Sequence, residues 1–204
     1  MKALLIVDIQ NDFLPGGALA IPQGERIIST LNALQPLFPC VVATKDWHPP
    51  HHISFASTHG KVPGESLLVA GKKQELWPDH CVQGSWGADF SPLLHQDKIQ
   101  RTFFKGSEPM VDSYSAFYDN AHIRSTGLGE YLHAHGVSEL YIGGLAIEYC
   151  VRYSVRDALR LGFKTFVIQD ACCGIDLIPG ESVRAFEEMR AEGVTLLTSA
   201  DLAG

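Results

Sequence analysis

Long apolar runs, clustered positive charge and a regular cysteine pattern are all missing from this 204-residue chain. No stretch approaches the eighteen or more apolar residues that a membrane span requires, so none is expected. The opening MKALLIVDIQNDF meets an aspartate after five apolar residues, too short for a signal-peptide core. Lys and Arg total 16 against 23 Asp and Glu, a net charge of −7 with no basic cluster, which argues against nucleic-acid binding. The five cysteines are odd in number and irregularly spaced, so a disulfide framework is not expected. Repeats, low-complexity tracts and Ser/Gly linkers are lacking too. These absences predict a reduced, cytoplasmic protein with neither a nucleic-acid nor a membrane partner.

What is there reads as one globular α/β domain, residues 1–204, with 46% hydrophobic and 19% charged residues. Strand-like runs fall at residues 3–7, 41–44, 99–104, 140–143, 165–168 and 194–197. Helical spacing falls at 24–37, 127–135, 148–161 and 180–191. Strands alternating with helices predict a three-layer α/β/α domain, Rossmann-like, with a six-stranded, mainly parallel sheet. One long irregular stretch, about 46–97, stands apart. Loops of that length in a compact domain are usually functional.

In such sheets ligands bind beyond the carboxyl ends of the strands. Asp8, Asp46, Lys105 and Asp170 each close a strand, and Cys150 follows another in the sequence ELYIGGLAIEYCVRYSVRDALRLG. That segment reads as strand, tight turn and helix, with the cysteine in the first helical turn. A thiol there meets unpaired N–H groups and the positive end of the helix dipole, which favour a thiolate. Those N–H groups also suit an oxyanion. Asp8 is placed to take the thiol proton, and Lys105 to stabilise the resulting anion. Singly, each residue reads as a core filler, a turn aspartate or a surface lysine; together they form a catalytic set.

Five of the nine histidines crowd residues 48–80. In Asp46-Trp47-His48 a carboxylate and an imidazole share one side of an extended segment, and His80 in WPDHC offers a third ligand. His52 is a candidate fourth, while His51 and His59 read as solvent-facing. Two imidazoles and a carboxylate suit one divalent ion, with zinc ahead of iron and manganese.

VDIQNDF (7–13), KDWHPPHH (45–52), WPDHCVQGS (77–85), FFKG (103–106), DSYSAF (112–117) and GLAIEYCV (144–151) together resemble the nicotinamidases of the isochorismatase-like hydrolase superfamily. The resemblance implies hydrolysis of nicotinamide to nicotinate and ammonia, in NAD salvage, through a thioester on cysteine. It implies a triad of Asp8, Lys105 and Cys150, metal ligation by Asp46, His48 and His80, and His52 as a further ligand in some members. Phe13 and Trp77 would line an aromatic slot for the ring, with Tyr114 nearby. A cis peptide, expected between Ala146 and Ile147, would let the N–H groups of Ala146 and Cys150 form the oxyanion hole. Many relatives carry Thr at the position of Ile147, so a hydroxyl is missing here. Pyrazinamide-like analogues are expected as further substrates, and homo-oligomerisation is left open. The rival readings are a relative acting on ureido acids or isochorismate, and a metal- or redox-sensing protein built on the Cys172-Cys173 pair.

Overall fold

The computed structural model describes residues 1–69 and 71–202. Its centre is a six-stranded sheet in the order β5-β2-β1-β6-β7-β8, formed by β1 (Lys2–Val7), β2 (Cys40–Asp46), β5 (Arg101–Lys105), β6 (Glu139–Leu145), β7 (Lys164–Cys173) and β8 (Thr195–Leu197). Every pairing is parallel. The sequence expectation of a mainly parallel sheet therefore holds for all six strands.

The alternation along β1 shows how the layers arise. Ala3, Leu5 and Val7 join a core with Leu128 and Leu132 of α2 (Leu128–Ala134), Val155 and Ala158 of α3 (Arg152–Arg160), and Ala185 and Met189 of α4 (Glu181–Ala191). Leu4 and Ile6 face the other way, onto Ile27, Ile28, Leu31 and Leu34 of α1 (Arg26–Leu34). Both faces of the sheet are thus covered, which is why its strands read as near-continuous apolar runs. Among the described residues no helix is long and apolar enough to cross a membrane.

Three segments differ from the sequence expectation. The first helix tightens into a 3₁₀ turn at Gln35–Leu37, because Pro36 cannot donate the next helical hydrogen bond. β7 runs on to Cys173, since a register shift after Ile142 lets Cys172 and Cys173 pair with Gly144 and Leu145. Inside the long irregular stretch lies a small antiparallel hairpin, β3 (Ser66–Val69) and β4 (Lys72–Glu75). Its strands cover no sheet face, so they lack the apolar signal that marked the others.

Candidate active site

β1 and β6 are neighbours from which the chain path diverges, outward through β2 and β5 on one side and through β7 and β8 on the other. Such a reversal opens a crevice at the carboxyl ends, and the side chains singled out above meet there. Asp8 follows β1, Asp46 closes β2, Lys105 closes β5 and Cys150 follows β6. Asp170 does not join them. It lies within β7, and its carboxylate accepts hydrogen bonds from the backbone N–H and hydroxyl of Ser199.

Lys105 is the hub. Its Nζ lies 2.5 Å from Asp46 Oδ1, 3.2 Å from the Ser113 carbonyl, 3.3 Å from Cys150 Sγ and 2.9 Å from Asp8 Oδ2. An ammonium has three hydrogens, and the first three contacts use them. Asp8 Oδ2 is therefore held by charge alone and accepts no hydrogen bond, while Oδ1 accepts one from Thr44 at 2.6 Å. Carboxylate oxygens of Asp8 and Asp46 and the Cys150 sulfur all lie within 4.8 Å of one another. The Asp8 carboxylate is thus close enough to the thiol to exchange a proton with it. Its backbone is left-handed, φ 53°, a conformation that Asp tolerates better than most residues.

Burial decides the resting protonation. It raises the Asp8 carboxyl above its ordinary value against the pull of Lys105. Burial also lifts the Cys150 thiol well above its usual range, and Lys105 only partly opposes it. The sequence expectation of a helix-lowered thiol is not met. Cys150 sits in a wide π-type turn, Ile147–Val151, ahead of α3, so the dipole is no match for desolvation. Burial acts against the charge of Lys105 as well, but Asp46 and Asp8 outweigh it and hold the ammonium well above its ordinary value. At Asp46, burial is outweighed by Lys105 and His48, and the carboxyl falls well below the usual range. The resting site is a neutral thiol beside an ammonium and a firmly ionised Asp46.

The other oxygen of Asp46 faces the histidines. Oδ2 lies 3.6 Å from His48 Nε2 and 3.7 Å from His80 Nε2. A tetrahedral ion with arms of about 2.1 Å has donors about 3.4 Å apart, close to these separations. Each ring is oriented from behind: Nδ1 lies 2.9 Å from the Gly106 carbonyl in His48 and 2.7 Å from the Pro78 carbonyl in His80. A carbonyl can only accept, so each Nδ1 carries the proton and each Nε2 presents a lone pair. This donor set fits a divalent metal ion. Gly106 is needed for the packing: a Cβ there would fall 2.4 Å from His48 Cε1. His52 stacks beside His48 with ring centres 4.2 Å apart, but its ring nitrogens already face Ser54 Oγ and the Val111 carbonyl. Burial, followed by His48, pushes the His52 imidazole down to about 4. The Val111 carbonyl can only accept, so Nε2 carries the proton and the lone pair on Nδ1 is turned to Ser54, which leaves His52 outside the Asp46, His48 and His80 trio. His52 does form a second buried cluster with His48 and Asp112.

Sequence reasoning missed the residue that fixes Asp46. Gln10 Nε2 donates to the Asp46 carbonyl at 2.7 Å and to the Ala88 carbonyl at 2.9 Å, while Oε1 accepts from the Asp46 N–H at 2.8 Å. Gln10→Leu leaves those buried groups without partners and is expected to destabilise the protein by about 1–3 kcal/mol, read from denaturant unfolding.

A cleft lined by Cys150 and by this trio opens here. Phe13, Trp77 and Tyr114 line it, as the resemblance implied, together with Ala146. Trp77 Nε1 donates to Tyr114 Oη at 3.2 Å. Sequence reasoning assigned no role to Tyr149, Asp112, Leu19, Ile21 and Ile175, which complete the wall. Tyr149 stands perpendicular to Trp77 at 5.0 Å. Asp112 is held by Gln74 at 2.8 Å, which gives the hairpin a reason to be there. The cis peptide lies between Leu145 and Ala146, one residue before the expected position, because Ile147 already belongs to the π-type turn. Ile147 is buried in the core, where an aliphatic side chain suits it better than a hydroxyl. Cys172 and Cys173 pack toward opposite faces of the sheet and form no disulfide.

Residues 2–201 match the isochorismatase domain family. The Escherichia coli (strain K12) nicotinamidase is 50% identical over 204 residues, covering 98% of this chain and 96% of its own. Among solved structures, a nicotinamidase/pyrazinamidase of Acinetobacter baumanii superposes with a TM-score of 0.95 at 45% identity, over 98% of this chain and 97% of its own. A Pyrococcus horikoshii pyrazinamidase in complex with zinc superposes with a TM-score of 0.79 at 38% identity, over 97% and 98%.

Proposed function

This chain belongs to the isochorismatase family, and from that premise we propose that the cleft beside Cys150 is where a nicotinamide ring is seated for attack. The reaction is hydrolysis of nicotinamide to nicotinate and ammonia, an amidohydrolase step of NAD salvage. The observation that carries the site assignment is the single ammonium of Lys105 touching Asp8, Asp46 and Cys150, of which Asp46 and Cys150 line the aromatic cleft.

The chemistry then follows from the residues. Phe13, Trp77 and Tyr149 hold the flat ring by its faces and edges. Asp46, His48 and His80 would hold the divalent ion, which we take to be zinc. When bound, it supplies a Lewis acid suited to the pyridine nitrogen. Asp8 Oδ2 takes the Cys150 proton, and the sulfur attacks the carboxamide carbon while Lys105 steadies the anion. The N–H groups of Ala146 and Cys150 receive the oxyanion, each such donor contributing about 3 kcal/mol. Asp8 returns its proton to the departing nitrogen, so ammonia leaves and a thioester remains. Water attacks the thioester, Asp8 accepts its proton, and nicotinate is released as the thiol reforms. Five free cysteines suit a reducing compartment, and we place the enzyme in the cytoplasm.

Ammonia release from nicotinamide tests this reading. Exhaustive chelation is expected to abolish turnover and zinc to restore it, while the far-UV spectrum stays native. Full turnover after chelation contradicts the metal assignment. No turnover by the zinc-loaded protein contradicts the reading as a whole and favours a ureido-acid or isochorismate substrate.

A further inference from the structure

Glu148 is fully buried, two residues ahead of Cys150 on the same π-type turn. The mechanism above gives it no task. Its Oε2 accepts a hydrogen bond from the Ile175 N–H at 3.1 Å, and its Oε1 accepts from the Asp176 N–H at 2.9 Å and the Ser182 hydroxyl at 2.6 Å. Two of these donors lie between β7 and α4, and the third, Ser182, lies in the first turn of α4. A carboxylate that receives several hydrogen bonds, two of them from backbone, binds more strongly than neutral acceptors do.

That segment needs such a tether. Leu177 and Ile178 are about 60% exposed, so little apolar burial anchors it. Ile175, at its start, lines the cleft. Gly174 lets the chain pass close: a Cβ there would fall 2.1 Å from Ser182 Oγ and 2.3 Å from Glu148 Oε1. Asp176 extends the link, its carboxylate accepting from the N–H groups of Gly180 and Ser182 at the start of α4.

We propose that Glu148 is a positioning residue for substrate binding, its buried carboxylate clamping the 174–182 segment so that Ile175 closes one wall of the cleft. This rests on the reading of that cleft as the nicotinamide site. The clamp couples the wall to the turn that carries the nucleophile, so ring and thiol keep a fixed separation. Lengthening or loosening it admits the ring in more poses, which weakens binding more than it alters the chemistry at sulfur.

Glu148→Gln preserves shape but aims an amide N–H at backbone N–H groups. It is expected to raise the KM for nicotinamide about tenfold with kcat within about threefold, the pattern of lost binding rather than lost chemistry. Hydrogen exchange at the Ile175 and Asp176 amides should quicken while exchange in β1 and β6 stays as in the parent. Ser182→Ala removes one donor without substituting any residue of the Cys150 turn, and a smaller rise in KM with faster local exchange is expected. Should Glu148→Gln not fold, Ser182→Ala decides alone. Parent values of KM and exchange in the folded variants overturn the clamp, as does a fall in kcat at unchanged KM, which would place the effect on the nucleophile turn. Ile175→Ala separates the two readings. A raised KM there, beside parent values in Glu148→Gln, overturns the clamp only, whereas a parent KM in Ile175→Ala overturns the cleft assignment and this proposal with it.

Discussion

Cys150→Ala lowers nicotinamide turnover by at least about 10⁴-fold, on the scale seen when a nucleophile is removed from a cooperating catalytic set. Nothing else in the cleft can take its place. Cys81 and Cys172 are buried elsewhere in the fold, and burial pushes their thiols upward, Cys172 to about 12. The substitution removes a sulfur that receives a hydrogen bond from Lys105 Nζ at 3.3 Å, and Lys105 keeps Asp46 and Ser113, so the fold should survive. The variant is expected to melt near the parent temperature, to keep its metal and to bind nicotinamide with an affinity close to the parent KM. Steady-state ammonia release and calorimetric binding check this together. Appreciable turnover in Cys150→Ala would mean direct attack by water and would remove the thioester from the mechanism.

Lys105→Met is expected to cost both stability and rate. The side chain is fully buried and its ammonium faces two buried carboxylates. Removing one partner of such a set leaves uncompensated buried charge, with a loss of about 3–5 kcal/mol. The pH dependence gives this loss a signature. In the parent, Asp46 is held below its ordinary value, so its contribution is present above that value and fades as pH falls through the depressed one. Asp8 is raised, so its contribution is present at low pH and fades as pH rises through the raised value. Without Lys105 the largest influence that lowers each carboxyl is gone, and burial favours the protonated form at both positions. Denaturant unfolding of the chelated variant should therefore show stability increasing from pH 7 to pH 5. Activity should fall by at least about 10³-fold, since the anion at sulfur loses the cation beside it.

The fold and the floor of the site were legible for one physical reason. Parallel strands buried on both faces must be apolar along their length, so a charged residue closing one, as at Asp46 or Lys105, marks an edge where chemistry can occur. The same reasoning over-reached at Asp170, because β7 continues past it and the charge turns aside to Ser199. It failed where contacts are made through backbone groups. Gln10 grips both peptide groups beside Asp46, and Glu148 gathers N–H groups from a distant segment, yet neither contact leaves a spacing pattern in the chain. Helix-start reasoning also misjudged the thiol: the wide turn and the burial of Cys150 outweigh the dipole. Asp8, buried beside Lys105 and the thiol, is the residue we propose as the base.

The most direct test is to mix the zinc-loaded enzyme with excess nicotinamide, quench in acid on the millisecond scale and weigh the intact protein. A nicotinoyl group on the Cys150 peptide, formed in step with a burst of ammonia and absent from Cys150→Ala, is the result expected from thioester catalysis. A stoichiometric ammonia burst with no adduct on Cys150 would contradict it.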